Sequence, residues 1–157
     1  MILQRIIVGL VLASSIAAAV MSAYAAPFDE LGSTTKTVSI SNNSGGNVAL
    51  FAMNVADYRS VGTLVKFNGR CDSACTMYLG LPTSQTCISQ GAYFRFHSPS
   101  GASVRSNRIA QSFLMNKYPG WVRAWIGRSG GLSSTLMTMD YSYASKFLRT
   151  CNRVASP

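Results

Sequence analysis

The spacing of apolar positions along this chain changes several times, and each change marks an element. Residues 6–20 form an apolar run behind a single charge, Arg5, and ahead of Ala23-Tyr24-Ala25. A positive flank, a short apolar core and a small-x-small close are the pattern of a cleavable secretory signal. The core is shorter than the roughly 20 residues a bilayer span needs, so residues 1–25 are expected to be removed, with no membrane span left after cleavage. Residues 26–33, with Pro27 and Gly32, read as a short polar leader.

Beyond the leader, residues 34–41 are rich in Thr, Val and Ile and predict a strand, broken by Asn42-Asn43-Ser44-Gly45-Gly46. Val48, Phe51, Ala52, Val55 and Ala56 then fall at helical spacing, predicting a helix over 47–58 with Asn47 or Ser44 as its cap. A second strand is predicted over 61–67, closed by Asn68-Gly69, and a buried helix over 73–81, ending near Gly80 and Pro82. Alternation of Tyr93, Phe94, Arg95, Phe96 and His97 predicts a strand over 92–97. Residues 106–117 and 121–128 read as helices parted by Pro119-Gly120, and 132–148 as one or two further short helices. Strands alternating with helices predict an α/β fold of repeated β–α units. Residues 34–157 are enough for one small domain and too few for two ordinary ones.

Composition adds the compartment and the charge. Four cysteines, Cys71, Cys75, Cys87 and Cys151, are an even set in a chain with an export signal, so two disulfides are expected. Three pairings are open, and Cys75–Cys87 with Cys71–Cys151 is preferred because it ties the C-terminal tail to the core. A zinc site would need a second close Cys or His pair beside Cys71 and Cys75, which the chain lacks. The 14 Lys+Arg outnumber the 5 Asp+Glu, and loss of Arg5 with the signal leaves a net +8. That balance favours acidic partners, but the cations are scattered singly with no nucleic-acid module among them, so no specific nucleic acid is implied.

His97, the one histidine, closes a predicted strand beside a Pro/Gly turn, and Ser73 opens a predicted helix. A helix N-terminus offers backbone N–H groups and a positive dipole end to a developing oxyanion. A nucleophilic serine also needs a base, and His97 suits that task. The Gly45-Gly46 turn can bring further N–H groups close to the same point. The plainer readings are a structural histidine, a helix cap and a tight turn. Cys75 as a nucleophile would require a free thiolate in an oxidising compartment. Trp121, Trp125 and the tyrosines fall at core or oligomer-face spacing.

Taken in order, Asn43-Ser44-Gly45-Gly46, Asp72-Ser73-Ala74-Cys75 and Phe96-His97-Ser98-Pro99 resemble the Clp-type serine protease (ClpP) branch of the ClpP/crotonase superfamily over about residues 38–144. That branch carries a glycine-rich loop, a serine at a helix start and a histidine at a strand end at similar intervals. The resemblance implies repeated β-β-α units, Ser73 as nucleophile and His97 as base. It implies an oxyanion hole from the N–H groups of Gly46 and Ala74, with Gly45 shaping the loop, and Asp140 as the third catalytic member. The loop here lacks the family's proline before Gly45, and Cys71 and Cys75 flank the serine, a pattern closer to a group of exported bacterial relatives. The expected function is that of an exported serine peptidase, periplasmic or secreted, acting on a peptide or protein, with no cofactor and no metal. The alternative is a non-catalytic binding or assembly protein of the cell envelope on the same fold. Crotonase-like handling of acyl thioesters is disfavoured outside the cytoplasm. The superfamily also implies a homo-oligomer, although a small disulfide-tied version leaves a monomer open.

Overall fold

A computed structural model describes residues 35–151; the predicted signal, the leader and the last six residues lie outside the described residues. The architecture is mixed α/β, a curled sheet with several helices. Strand β1 (Thr37–Asn43) is followed by helix α1 (Val48–Ser60), which returns the chain to β2 (Leu64–Asp72), parallel to β1. Asn47 is the α1 cap, its side chain accepting from the N–H groups of Ala49 and Leu50.

β2 is the spine of the sheet and runs straight through Asn68-Gly69, where the sequence predicts its end. The register with β1 slips between Ile40 and Asn42, so β2 carries an extra residue there, a bulge. A Cβ on Gly69 would sit 2.1 Å from the Ser41 carbonyl oxygen, so only glycine fits this close approach. Past the bulge β2 changes neighbours. Its first half pairs with β3 (Thr86–Ile88) and its second half with β4 (Tyr93–Phe96), both parallel.

Between β2 and β3 the chain forms a 3₁₀ segment, Ser73–Gly80, in place of the predicted α-helix, with Ala74 through Leu79 buried. A run of this length is unusual for 3₁₀ geometry and marks local constraint. After β4 come α2 (Val104–Lys117), α3 (Gly120–Arg128), β5 (Met137–Met139), the single-turn α4 (Tyr141–Ala144) and β6 (Arg149–Thr150). β5 pairs antiparallel with β4, and β6 parallel with β3. Alternation along β2 and β4 sends Val65, Phe67, Cys71, Phe94 and Phe96 into a core completed by Met77, Leu79, Val122 and Ile126. Among the described residues no helix is long and apolar enough to cross a membrane.

Both disulfides form, but the pairing differs from the preferred one: Cys71 joins Cys75, and Cys87 joins Cys151. The tail is tied down through β3, because β6 lies beside β3 and brings Cys151 next to Cys87. Cys71 and Cys75 stand on the two sides of the β2-to-3₁₀ turn with Cα atoms 5.4 Å apart, within disulfide reach. Two disulfides suit an oxidising compartment.

Candidate active site

Ser73 sits at the turn from β2 into the 3₁₀ segment with φ +52°, the one non-glycine residue of positive φ among the described residues. An L-residue held there costs about 1–2 kcal/mol, so its surroundings must fix it. The Cys71–Cys75 disulfide closes a ring around Asp72, Ser73 and Ala74. From the core side, Thr76 Oγ1 donates to the Ser73 carbonyl at 2.6 Å. With that proton committed, the Tyr118 hydroxyl donates to Thr76 Oγ1, also at 2.6 Å. Thr76 and Tyr118 are 0 % and 3 % exposed, so a break in this relay would strand polar atoms away from water. Burial pushes the Tyr118 phenol up to about 12, against the opposing hydrogen bond with Thr76, and keeps it a donor.

The glycine loop closes on the same turn. Gly45 has φ +80°, and a Cβ built on it would lie 2.5 Å from the Asp72 carbonyl oxygen, 2.8 Å from Ser73 Cβ and 2.9 Å from Ala74 N. Glycine is therefore required on two counts, conformation and space. Asn43 Oδ1 accepts from Gly45 N at 2.8 Å, and Arg70 Nη2 donates to Ser44 Oγ at 3.0 Å, so both flanks of the loop are tied. The Gly45 N–H is thus committed to loop shape. Gly46 has φ +147° and is exposed. At the head of the 3₁₀ segment, Asp72 provides no side-chain cap, and the first N–H groups, that of Ala74 included, lack intrahelical partners.

His97 follows directly on β4. Because Asp72 is in register with Arg95, Ser73 and His97 leave the same ends of two neighbouring parallel strands, whose axes lie about 4.8 Å apart. Ligands of open α/β sheets bind at these carboxyl ends. Tyr93 and Arg95 are half-buried between the fully buried Phe94 and Phe96, and half-buried His97 continues that alternation. Among the described residues, Ser73 Oγ and the His97 ring are not hydrogen-bonded to each other, and the ion pairs are Arg70–Asp72 and Arg95–Asp72, neither involving His97.

Asp140 is not brought to this point. It caps α4, accepting from Tyr143 N at 2.9 Å and Ser142 Oγ at 2.8 Å, and these bonds hold its carboxyl below the usual range. The β4–β5 register pairs Phe96 with Met137 and Phe94 with Met139, which sets Asp140 at the start of β4 and His97 at its end. Four residues of strand separate those levels, about 13 Å. A cleft of about 590 Å³ bordered by Gln90, Tyr93, Asp140 and Tyr141 lies at that start, and neither Ser73 nor His97 lines it.

A charged group beside Ser73 escapes the sequence reading. Asp72, 5 % exposed, receives Arg95 through both oxygens, Nε at 2.8 Å on one, while Arg70 Nε stands 3.5 Å from the second oxygen. This pair joins the ends of β2 and β4 and so fixes Ser73 relative to His97. Arg95 stands 23 residues from Asp72, so no local pattern in the sequence announces the pair. No protein-family model matches the chain, and no curated protein matches it at a significant level.

Proposed function

We propose that this chain is an exported serine hydrolase of the ClpP/crotonase-like type that acts on peptides in the periplasm or outside the cell. One observation carries the reading: a serine in left-handed conformation at an uncapped helix head lies against a Gly-Gly loop, beside the strand end that carries the single histidine. In the proposed reaction, His97 accepts the proton of Ser73 Oγ as that oxygen attacks the scissile carbonyl. The N–H groups of Gly46 and Ala74 receive the oxyanion, the amine leaves with the proton held by His97, and water then hydrolyses the acyl-enzyme. Asp140 has no part in this scheme, and Ser73 and His97 act as a pair.

The test is turnover of a mixed peptide library by the oxidised mature protein, followed by mass spectrometry, beside Ser73→Ala and His97→Ala. Cleavage that both variants lose supports the hydrolase. Cleavage that survives Ser73→Ala rejects it. The second reading, a non-catalytic binding or assembly protein of the envelope, is favoured by the open Ser73–His97 pair and the absence of a carboxylate on His97 among the described residues. It predicts no cleavage by any of the three proteins.

A further inference from the structure

Helix α2 is built the wrong way round for a helix whose only role is to cover a core. Of its 14 residues only Leu114 is fully buried. The series Asn107, Ala110, Gln111, Leu114, Met115 and Tyr118 turns inward, and Arg105, Arg108, Ile109, Ser112, Phe113 and Lys117 turn to solvent. The outward face therefore carries an apolar pair one turn apart, Ile109 and Phe113, 62 % and 37 % exposed. Three cations flank it, and Lys117 Nζ lies 5.2 Å from the Phe113 ring centre. No acidic residue occurs anywhere between Asp72 and Asp140, a stretch that holds six Lys and Arg.

We propose that α2 docks the protein on an anionic lipid surface. A basic amphipathic helix with apolar side chains on its outer face lies in the plane of a bilayer interface, its apolar side chains entering the acyl boundary and its cations meeting anionic headgroups. Both halves of that match are present on one face. A second copy of the chain is a poorer occupant, since α2 on α2 would set three cations against three, and among the described residues Asp57 and Asp140 are the exposed acids. A soluble polyanion would answer the charge but give Ile109 and Phe113 no hydrocarbon to enter. The inference is independent of the Ser73 chemistry.

The experiment is co-sedimentation of the oxidised mature protein with vesicles of phosphatidylcholine alone and of an equal mixture with phosphatidylglycerol. Two exposed-face variants, Ile109→Ser/Phe113→Ser and Arg105→Gln/Arg108→Gln, accompany it, with folding checked by circular dichroism. The proposal expects binding to the phosphatidylglycerol vesicles and little to phosphatidylcholine. It expects a loss of about fivefold per cation removed and of at least about tenfold for the apolar pair. No binding to the anionic vesicles overturns it. So does binding that the Ile109/Phe113 variant leaves unchanged, which would reduce it to general charge attraction. Lipid-free self-association abolished by the same variant would assign the face to a second copy instead.

Discussion

Removing the hydroxyl of Thr76 tests the relay that holds Ser73 in its left-handed turn. Thr76→Val keeps the shape but leaves the Tyr118 hydroxyl, 3 % exposed, without its acceptor and the Ser73 carbonyl without its donor. Each stranded buried group costs about 1–3 kcal/mol, and because Ser73 is half-buried its carbonyl regains some water. The expected loss is about 2–4 kcal/mol. Tyr118→Phe alone removes one hydrogen bond and strands nothing, because Thr76 still donates to Ser73, so it costs about 1 kcal/mol. In the Thr76→Val background the sign reverses: Tyr118→Phe now deletes an orphaned hydroxyl and restores about 1 kcal/mol. The double-mutant cycle therefore predicts a coupling of about 2 kcal/mol, read from urea unfolding followed by tryptophan fluorescence. Thr76→Ser, which keeps the hydroxyl, should recover most of the loss. Equal effects of Tyr118→Phe in the two backgrounds would refute the relay.

Further outcomes follow from the same geometry. Gly45→Ala should cost about 2–5 kcal/mol, combining left-handed strain with overlap against the Ser73 turn, while Gly91→Ala, at φ +87° with nothing within 4 Å of its Cβ, should cost only the strain; thermal unfolding compares them. The Tyr118 phenol is raised in the folded state, so its stabilising effect is complete below the unfolded value near 10 and is lost as pH rises toward about 12. Tyr118 should thus contribute a decline of about 1.4 kcal/mol per pH unit in that window, beside a further one from Tyr78, which burial also raises to about 12. Brief alkaline unfolding experiments should show a shallower fall in Tyr118→Phe. Asp140→Ala should lose about 1 kcal/mol through the α4 cap yet change modification of Ser73 by less than about twofold, whereas a large loss would return Asp140 to the proton relay.

The elements that the sequence announced are those whose pattern is local. The α1 helix with its Asn47 cap, the strand that ends at Phe96 and the α2 and α3 helices with their Pro119-Gly120 break all appear within a few residues of expectation. The misses are non-local. Strands β3, β5 and β6 have three, three and two residues, too few for a period, and the sheet and the Cys87–Cys151 bond place them. Asn68-Gly69 reads as a turn and is instead a bulge inside β2, because a glycine without neighbours cannot announce that another backbone will press on it. At the site, Ser73, Gly45 and His97 were legible as a serine, a loop and a histidine in order. The Thr76–Tyr118 relay joins residues 42 apart, and the Asp72–Arg95 pair residues 23 apart, so neither leaves a local trace. Asp140 was assigned on position along the chain, and the antiparallel turn-back of β5 carries it to the wrong end of β4.

The central claim is that Ser73 is an activated nucleophile with His97 as its base, and labelling by a fluorophosphonate probe tests it most directly. The oxidised mature protein would be treated beside Ser73→Ala and folded His97→Ala, and the modified peptide mapped by mass spectrometry. The account predicts a single adduct on Ser73 that is absent in Ser73→Ala and strongly reduced in His97→Ala. A folded, fully oxidised protein that forms no adduct, or forms it equally without His97, would contradict it.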